Sequence, residues 1–266
     1  MLIDEAQDFH PGHWRFLRAS VSQGPNDIFL AEDSHQRIYG QRLVLSHYGI
    51  STRGRASHKL RLNYRTTAQN LAYASAILKG AEWIDSTEST DDITGYRSVR
   101  LGPVPQVAYS QDEGEESQLL VATIRTWLEQ NPNASIGVLA RSKMRIRSVS
   151  TLLSEAGVAV NDSHSPVRAS EMPVSVMTMQ NAKGMEFSHV ILLDIGERSL
   201  PQRSALRGLA PAEYEDALLR ERALLYVAAS RARDQLLVSV VGEPSPLLPE
   251  REEHADGKDP ADTAEA

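Results

Sequence analysis

The sequence contains no cysteine in its 266 residues, which excludes disulfides and thiolate-held zinc or iron–sulfur centres. It lacks any apolar run near the ~18 residues that a membrane-spanning helix needs. Its opening Met1-Leu2-Ile3-Asp4-Glu5 has no basic segment leading into an apolar one, which argues against a signal peptide. These absences fit a cytoplasmic protein with no membrane partner. Positive charge is scarce as well: 28 Lys and Arg face 35 Asp and Glu, a net of -7. Most of that deficit is local. Residues 243–266 hold eight acids against Arg251 and Lys258, a net of -6. The remainder is near neutral, which leaves room for a basic groove that binds phosphates.

What is present is an ordinary globular composition, 41% hydrophobic and 24% charged, enough for one large domain or two smaller ones. Short apolar runs alternate with amphipathic segments. Strands are predicted over 28–31, 104–109, 135–140, 174–179, 190–194 and 235–241, and helices over 67–78, 115–129, 146–156 and 212–229. This order predicts an α/β fold, a parallel sheet flanked by helices. From about Gly242 onward Pro244, Pro246, Pro249 and Pro260 stand among acids and alanines, and a disordered acidic tail is expected over 243–266.

Five segments carry chemistry. Asp4-Glu5-Ala6-Gln7-Asp8 follows an apolar run, where one carboxylate can hold Mg²⁺ and the next can orient an attacking water. In Asp33-Ser34-His35-Gln36-Arg37-Ile38-Tyr39, Gln36 can hydrogen-bond a terminal phosphate and Tyr39 can stack on a base. In Leu62-Asn63-Tyr64-Arg65-Thr66-Thr67, Arg65 can reach a phosphate across a cleft, with Thr66 or Thr67 as a helix N-cap. The turn from Thr178 to Phe187 offers Lys183, the Gly184 backbone and Glu186 to phosphate or ribose. Arg231 and Arg233 stand at a helix end before the last strand. Each segment alone also has an ordinary structural reading: an acidic helix start, a polar loop, a surface arginine, a basic helix end.

Their order has no such reading. DEAQDF, EDSHQRIYG, LRLNYRTT, TMQNAKGMEF and LLYVAASRAR, in succession from Met1 to Val241, resemble the later motifs of UvrD/Rep-like superfamily 1 DNA helicases. The resemblance implies ATP and Mg²⁺ held between two RecA-like (P-loop NTPase type) domains, and 3′-to-5′ movement on single-stranded DNA. It implies Asp4 as the Mg²⁺ ligand, Glu5 as the catalytic base and Gln36 as the γ-phosphate sensor. Arg65 and Arg231 become arginine fingers, Glu186 and the Gly184 backbone contact the ribose side, and Tyr39 and Thr178 lie close to the DNA. The implied organisation is a remnant of the first RecA-like domain over 1–57 and a near-complete second one over 58–242.

Four departures accompany the resemblance. Glu32 replaces a glycine, Gln41 replaces a tryptophan, and only 112 residues separate Arg65 from Thr178, too few for a large inserted domain. The fourth is the absence of any G-x-x-x-x-G-K-[ST], the loop that cradles the β- and γ-phosphates. The expectation is therefore the C-terminal part of a helicase, inactive alone and completed by an N-terminal RecA-like portion. The alternatives are a non-catalytic DNA- or protein-binding module and one half of a split enzyme.

Overall fold

Val190 and Leu192 point to one side of a strand while Ile191 and Leu193 point to the other, and all four are fully buried. A strand apolar on both faces belongs in the middle of a sheet covered by helices on both sides. A computed structural model describing residues 1–40, 42–51, 57–162 and 172–250 shows that arrangement. Gln41 and the tail beyond Glu250 lie outside the described residues.

The chain opens with strand β1 (Leu2–Ile3), helix α1 (Pro11–Ala19) and strand β2 (Phe29–Leu30), the two strands pairing in parallel. Ile3, Ala6, Trp14, Leu45 and Ile50 form a small core of their own beneath them. Next come β3 (Leu62–Thr67), α2 (Ala68–Leu78) and β4 (Arg97–Arg100), a second parallel pair. Thr67 caps α2 by accepting from the Asn70 N–H at 3.2 Å.

The main sheet then runs through β5 (Gln106–Ser110), α3 (Glu113–Gln130), β6 (Ile136–Ala140), α4 (Lys143–Glu155), β7 (Val160–Asp162), β8 (Val174–Thr178), β9 (Phe187–Leu193), α5 (Arg203–Leu206), α6 (Pro211–Ala229) and β10 (Ala232–Val241). Its six strands are all parallel, in the order β5-β10-β9-β6-β8-β7. Helices α2 and α6 cover one face, and α3 and α4 the other. Among the described residues no helix is long and apolar enough to cross a membrane.

The predicted elements of this sheet are present, β7 and α5 are additions to it, α1, β3 and β4 are additions outside it, and one expectation is corrected. β4 and β7 carry too few apolar residues to be legible; Arg97-Ser98-Val99-Arg100 is a strand only because β3 pairs with it. The correction concerns the expected disordered tail. Its first residues, 243–250, pack against the domain: Glu197 N–H donates to Glu243 O at 2.9 Å, Ser245 N–H donates to Ile195 O at 3.1 Å, and Leu247 is buried in the core. One well-placed leucine and two backbone hydrogen bonds outweigh a proline-rich, acidic composition here.

Candidate functional site

Residues 1–40 and 42–51 meet the domain of the six-stranded sheet along a seam, and charged side chains from each of the five motifs gather there. The His35 ring packs against Trp83 at 5.2 Å and Tyr226 at 6.2 Å between centroids, so the segment carrying Gln36 is seated on α6. From the first piece come Glu5, Asp8, Asp33 and Gln36; from the sheet domain come Arg65, Lys183, Glu186 and Arg231.

Arg231 sits between α6 and β10 and is only 4% exposed. Its Nε donates to Val227 O at 3.0 Å, Nη1 to Met185 O at 3.3 Å, and Nη2 to Ser230 Oγ at 3.1 Å and across the seam to Gln36 Oε1 at 3.3 Å. Burial, and then the nearby Arg65 charge, hold the guanidinium below its usual range, against the opposing pull of Tyr226, Glu5 and Asp33.

Gln36 is gripped at both ends, because its Nε2 donates to Asp33 Oδ2 at 2.7 Å. Burial pushes the Asp33 carboxyl up. Hydrogen bonds from His35 and Gln36 outweigh it and hold the group below the ordinary carboxylate range.

Arg65 is reached from the other side. The Asn63 side chain accepts from Arg65 N–H at 2.8 Å and Thr66 N–H at 3.1 Å, and Thr66 Oγ1 donates to Ala232 O at 2.6 Å, tying this strand end to the start of β10. The Arg65 side chain, 55% exposed, forms an ion pair from Nε to Glu186 Oε2 at 2.8 Å. Glu186 lies in the tight turn joining β8 to β9, which needs a left-handed residue and has Gly184 at φ 78°. In the same turn Lys183 crosses the seam, 2.6 Å from Asp8 Oδ2, 3.6 Å from Glu5 Oε2, and donating to Gln36 O at 2.7 Å.

Asp4 is exposed and accepts Glu5 N–H at 2.9 Å. Glu5 itself holds a left-handed φ of 51°, uncommon for a residue with a side chain. No cluster of three or more metal-ligating side chains occurs among the described residues. Tyr39 OH donates to Gln180 O at 3.3 Å, beside the expected DNA-facing edge. Thr178 is buried at the end of β8, its hydroxyl accepting from Asn181 N–H at 3.4 Å.

Sequence reasoning missed three residues here. Asp8 receives Lys183, Asp33 orients Gln36, and Tyr64 presents an exposed ring beside Arg65. All three lie inside the motifs already singled out, so their signal was position next to a named residue. Glu32, where a glycine was expected, keeps a φ outside the left-handed region, so no glycine turn is lost. It accepts a hydrogen bond from Ser86 Oγ.

Burial pushes the Glu32 carboxyl up from its ordinary 4.5, with Asp85 and Asp91 adding to the rise and Ser86 opposing it. A raised folded pKa favours the fold while the group is protonated, below about 4.5, and that benefit is lost as pH climbs through the folded value. Glu32→Gln is therefore expected to raise stability at pH 7 by a few tenths to about 1 kcal/mol. The gain should vanish by pH 4 in urea denaturation, and an equal gain at both pH values refutes this account.

Comparison with known proteins agrees with the geometry. Residues 159–243 match the UvrD-like helicase C-terminal domain family. A protein from Mycoplasma pneumoniae named as a DNA helicase is 26% identical over 250 residues, covering 90% of this chain and 43% of that one. A Bacillus subtilis protein named as an ATP-dependent DNA helicase, YjcD, is 39% identical over 72 residues, 27% of this chain and 9% of that protein. The chain thus spans less than half the length of these relatives. The solved C-terminal domain of a helicase candidate from Lactobacillus plantarum WCFS1 shares the fold, with a TM-score of 0.52 and 22% identity over 73% of this chain and 96% of that one. The RecA-like parallel sheet is the fold shared with that solved C-terminal domain. The chain is thus similar to the C-terminal domain of UvrD-like helicases over residues 159–243, and over 250 residues to a protein named as a DNA helicase.

Proposed function

We propose that this chain is the C-terminal part of an ATP-dependent helicase that moves 3′-to-5′ along single-stranded DNA and is inactive without an N-terminal RecA-like portion. Residues 1–57 would belong to the first RecA-like domain and 58–242 to the second. The observation that supports this reading is the convergence of Arg65, Arg231 and Gln36 on one seam, with Arg231 already bonded across it to Gln36. Two guanidinium groups close enough to disturb one another fit a polyphosphate, whose negative charge relieves their repulsion.

Bound there, Mg²⁺-ATP would supply the phosphoanhydride whose cleavage drives movement. Arg65 and Arg231 would hold the terminal phosphates and Gln36 would report their presence. Glu186 and the Gly184 backbone would face the sugar, and Tyr64 offers a ring face at the same mouth. Asp4 would take the metal through one carboxylate, as Mg²⁺ sites next to phosphates commonly do. Glu5 would orient a water, and Tyr39 would lie along the DNA edge.

The remaining half of the site would come from a partner segment. β2 pairs with β1 along one edge only among the described residues, and its other side opens on a groove of about 1060 Å³ lined by Ile28, Leu30, Lys59, Asp91 and Tyr96. Leu2 and Phe29 are 76% and 67% exposed on the same small sheet. A free strand edge beside exposed apolar side chains suits completion by further strands. The test is ATP hydrolysis with and without single-stranded DNA, for the chain alone and mixed with an N-terminal portion carrying G-x-x-x-x-G-K-[ST]. DNA-stimulated turnover is expected only in the mixture. Hydrolysis by the chain alone, or none in a mixture that forms a stable complex, overturns the reading.

A further inference from the structure

We propose that Glu186 is a selectivity gate on Arg65, making this arginine available to a phosphate when the phosphate arrives with a sugar attached. This rests on the nucleotide-site reading above and extends it to the choice between a nucleotide and a bare polyphosphate.

The geometry sets up a competition. Arg65 Nε and Glu186 Oε2 are 2.8 Å apart, so the carboxylate occupies one donor direction of the guanidinium that a phosphate would use. The two backbones are anchored independently. Thr66 is bonded to Ala232 O, and Phe187 N–H donates to Arg231 O at 3.1 Å. The pair can therefore part by side-chain rotation alone, with side chains 55% and 39% exposed. Arg231 cannot rotate in this way, held by Val227 O and Met185 O in a buried position.

One arginine is thus permanently set and the other is switchable. An inorganic polyphosphate must take Arg65 from Glu186 and leave that carboxylate without its partner. A nucleotide can repay the loss, because a ribose hydroxyl donates to the freed carboxylate. Lys183, in the same turn, is engaged by Asp8 and Gln36 O, and Arg233, which feels the Glu186 charge, is paired with Asp234, so neither substitutes for Arg65.

The test uses the chain in stable complex with an N-terminal portion carrying G-x-x-x-x-G-K-[ST], and two probes, tripolyphosphate and ATP, both titrated calorimetrically in EDTA at about 0.15 M salt. Glu186→Gln is expected to tighten tripolyphosphate about three- to fivefold, the scale of a half-exposed ion pair. It should lower the preference for ATP over tripolyphosphate by at least that factor. In an Arg65→Ala background the same substitution should change tripolyphosphate affinity by less than about twofold, the part due to charge alone. Arg65 is exposed, so that variant keeps the fold. If Glu186→Gln does not tighten tripolyphosphate, or tightens it equally without Arg65, the gate is wrong while the nucleotide site stands, provided Arg65→Ala still weakens ATP. If ATP and tripolyphosphate fail to bind, or bind without regard to Arg65, the nucleotide-site reading falls and the gate falls with it.

Discussion

Arg231→Ala is expected to lower ATP turnover by about 10³–10⁵-fold in the enzyme completed by its N-terminal portion, the scale on which an arginine finger acts. Arg231→Lys should recover little of it. A lysine carries the charge but not the planar fork, and three separate donor groups of Arg231 are in use: Nε on Val227 O, Nη1 on Met185 O, and Nη2 on Gln36 Oε1. The alanine variant also strips donors from carbonyls in a buried position, so a stability loss of about 1–3 kcal/mol should accompany the rate loss.

Arg65→Ala separates the two effects. Its side chain is 55% exposed and its ion pair with Glu186 lies at the surface, so turnover should fall on a similar scale with stability almost unchanged. Steady-state kinetics beside urea denaturation of each variant provide the check. Turnover within tenfold of wild type in both variants removes the arginines from the mechanism.

The second large effect lies away from this site. Glu116, in the first turn of α3, is fully buried and serves three partners: Arg145 Nη2 at 2.6 Å, Asp194 N–H at 2.9 Å and Ser239 Oγ at 2.7 Å. It thereby joins α3 to α4, to the end of β9 and to β10. Glu116→Ala leaves Arg145 largely buried beside an unpaired N–H and hydroxyl, and breaking a buried pair in this way costs about 3–5 kcal/mol. Domains of this size have only about 5–15 kcal/mol in total, so the variant should be close to unfolding at 37 °C.

Glu113→Ala is the control. Glu113 also pairs with Arg145, at 3.0 Å, but its side chain is 73% exposed, and the loss should stay below about 1 kcal/mol. Equal losses from the two substitutions in urea denaturation would mean that burial of Glu116 is not what makes it matter. Glu116→Gln should fall between them, since its amide oxygen still accepts from Asp194 and Ser239 while the charge facing Arg145 is gone. Asp194 should respond as well. Burial raises its carboxyl and the Glu116 charge raises it further against the bond from Ser199, so Glu116→Gln should bring it back towards its ordinary range.

Much of this was legible beforehand because it is local. The helix expected over 212–229 is present as α6 (Pro211–Ala229), and β6 and β9 are legible as short runs apolar on both faces. β4 was not legible, because its four residues include one large apolar side chain and the strand exists only through pairing with β3. The packed segment 243–250 was hidden for the opposite reason: its composition speaks for disorder, while Leu247 needs only one pocket to hold it. Asp33 was passed over as part of a polar loop because its work is done on Gln36, three residues on, through a side-chain contact that spacing does not reveal.

What the sequence determined by itself was the α/β pattern, the five motifs in order and the residue types able to hold a phosphate, a sugar or a metal. These are properties of neighbours along the chain, set by side-chain period and by chemistry at fixed short spacing. What only the tertiary structure decided was which of those groups meet. Gln36 and Arg231 are 195 positions apart, Gln36 and Lys183 are 147, and they come together because the sheet order β5-β10-β9-β6-β8-β7 sets the starts of β9 and β10 side by side against the first piece. Contact across such distances depends on strand order and helix packing summed over the whole core, and no local stretch of the chain encodes it.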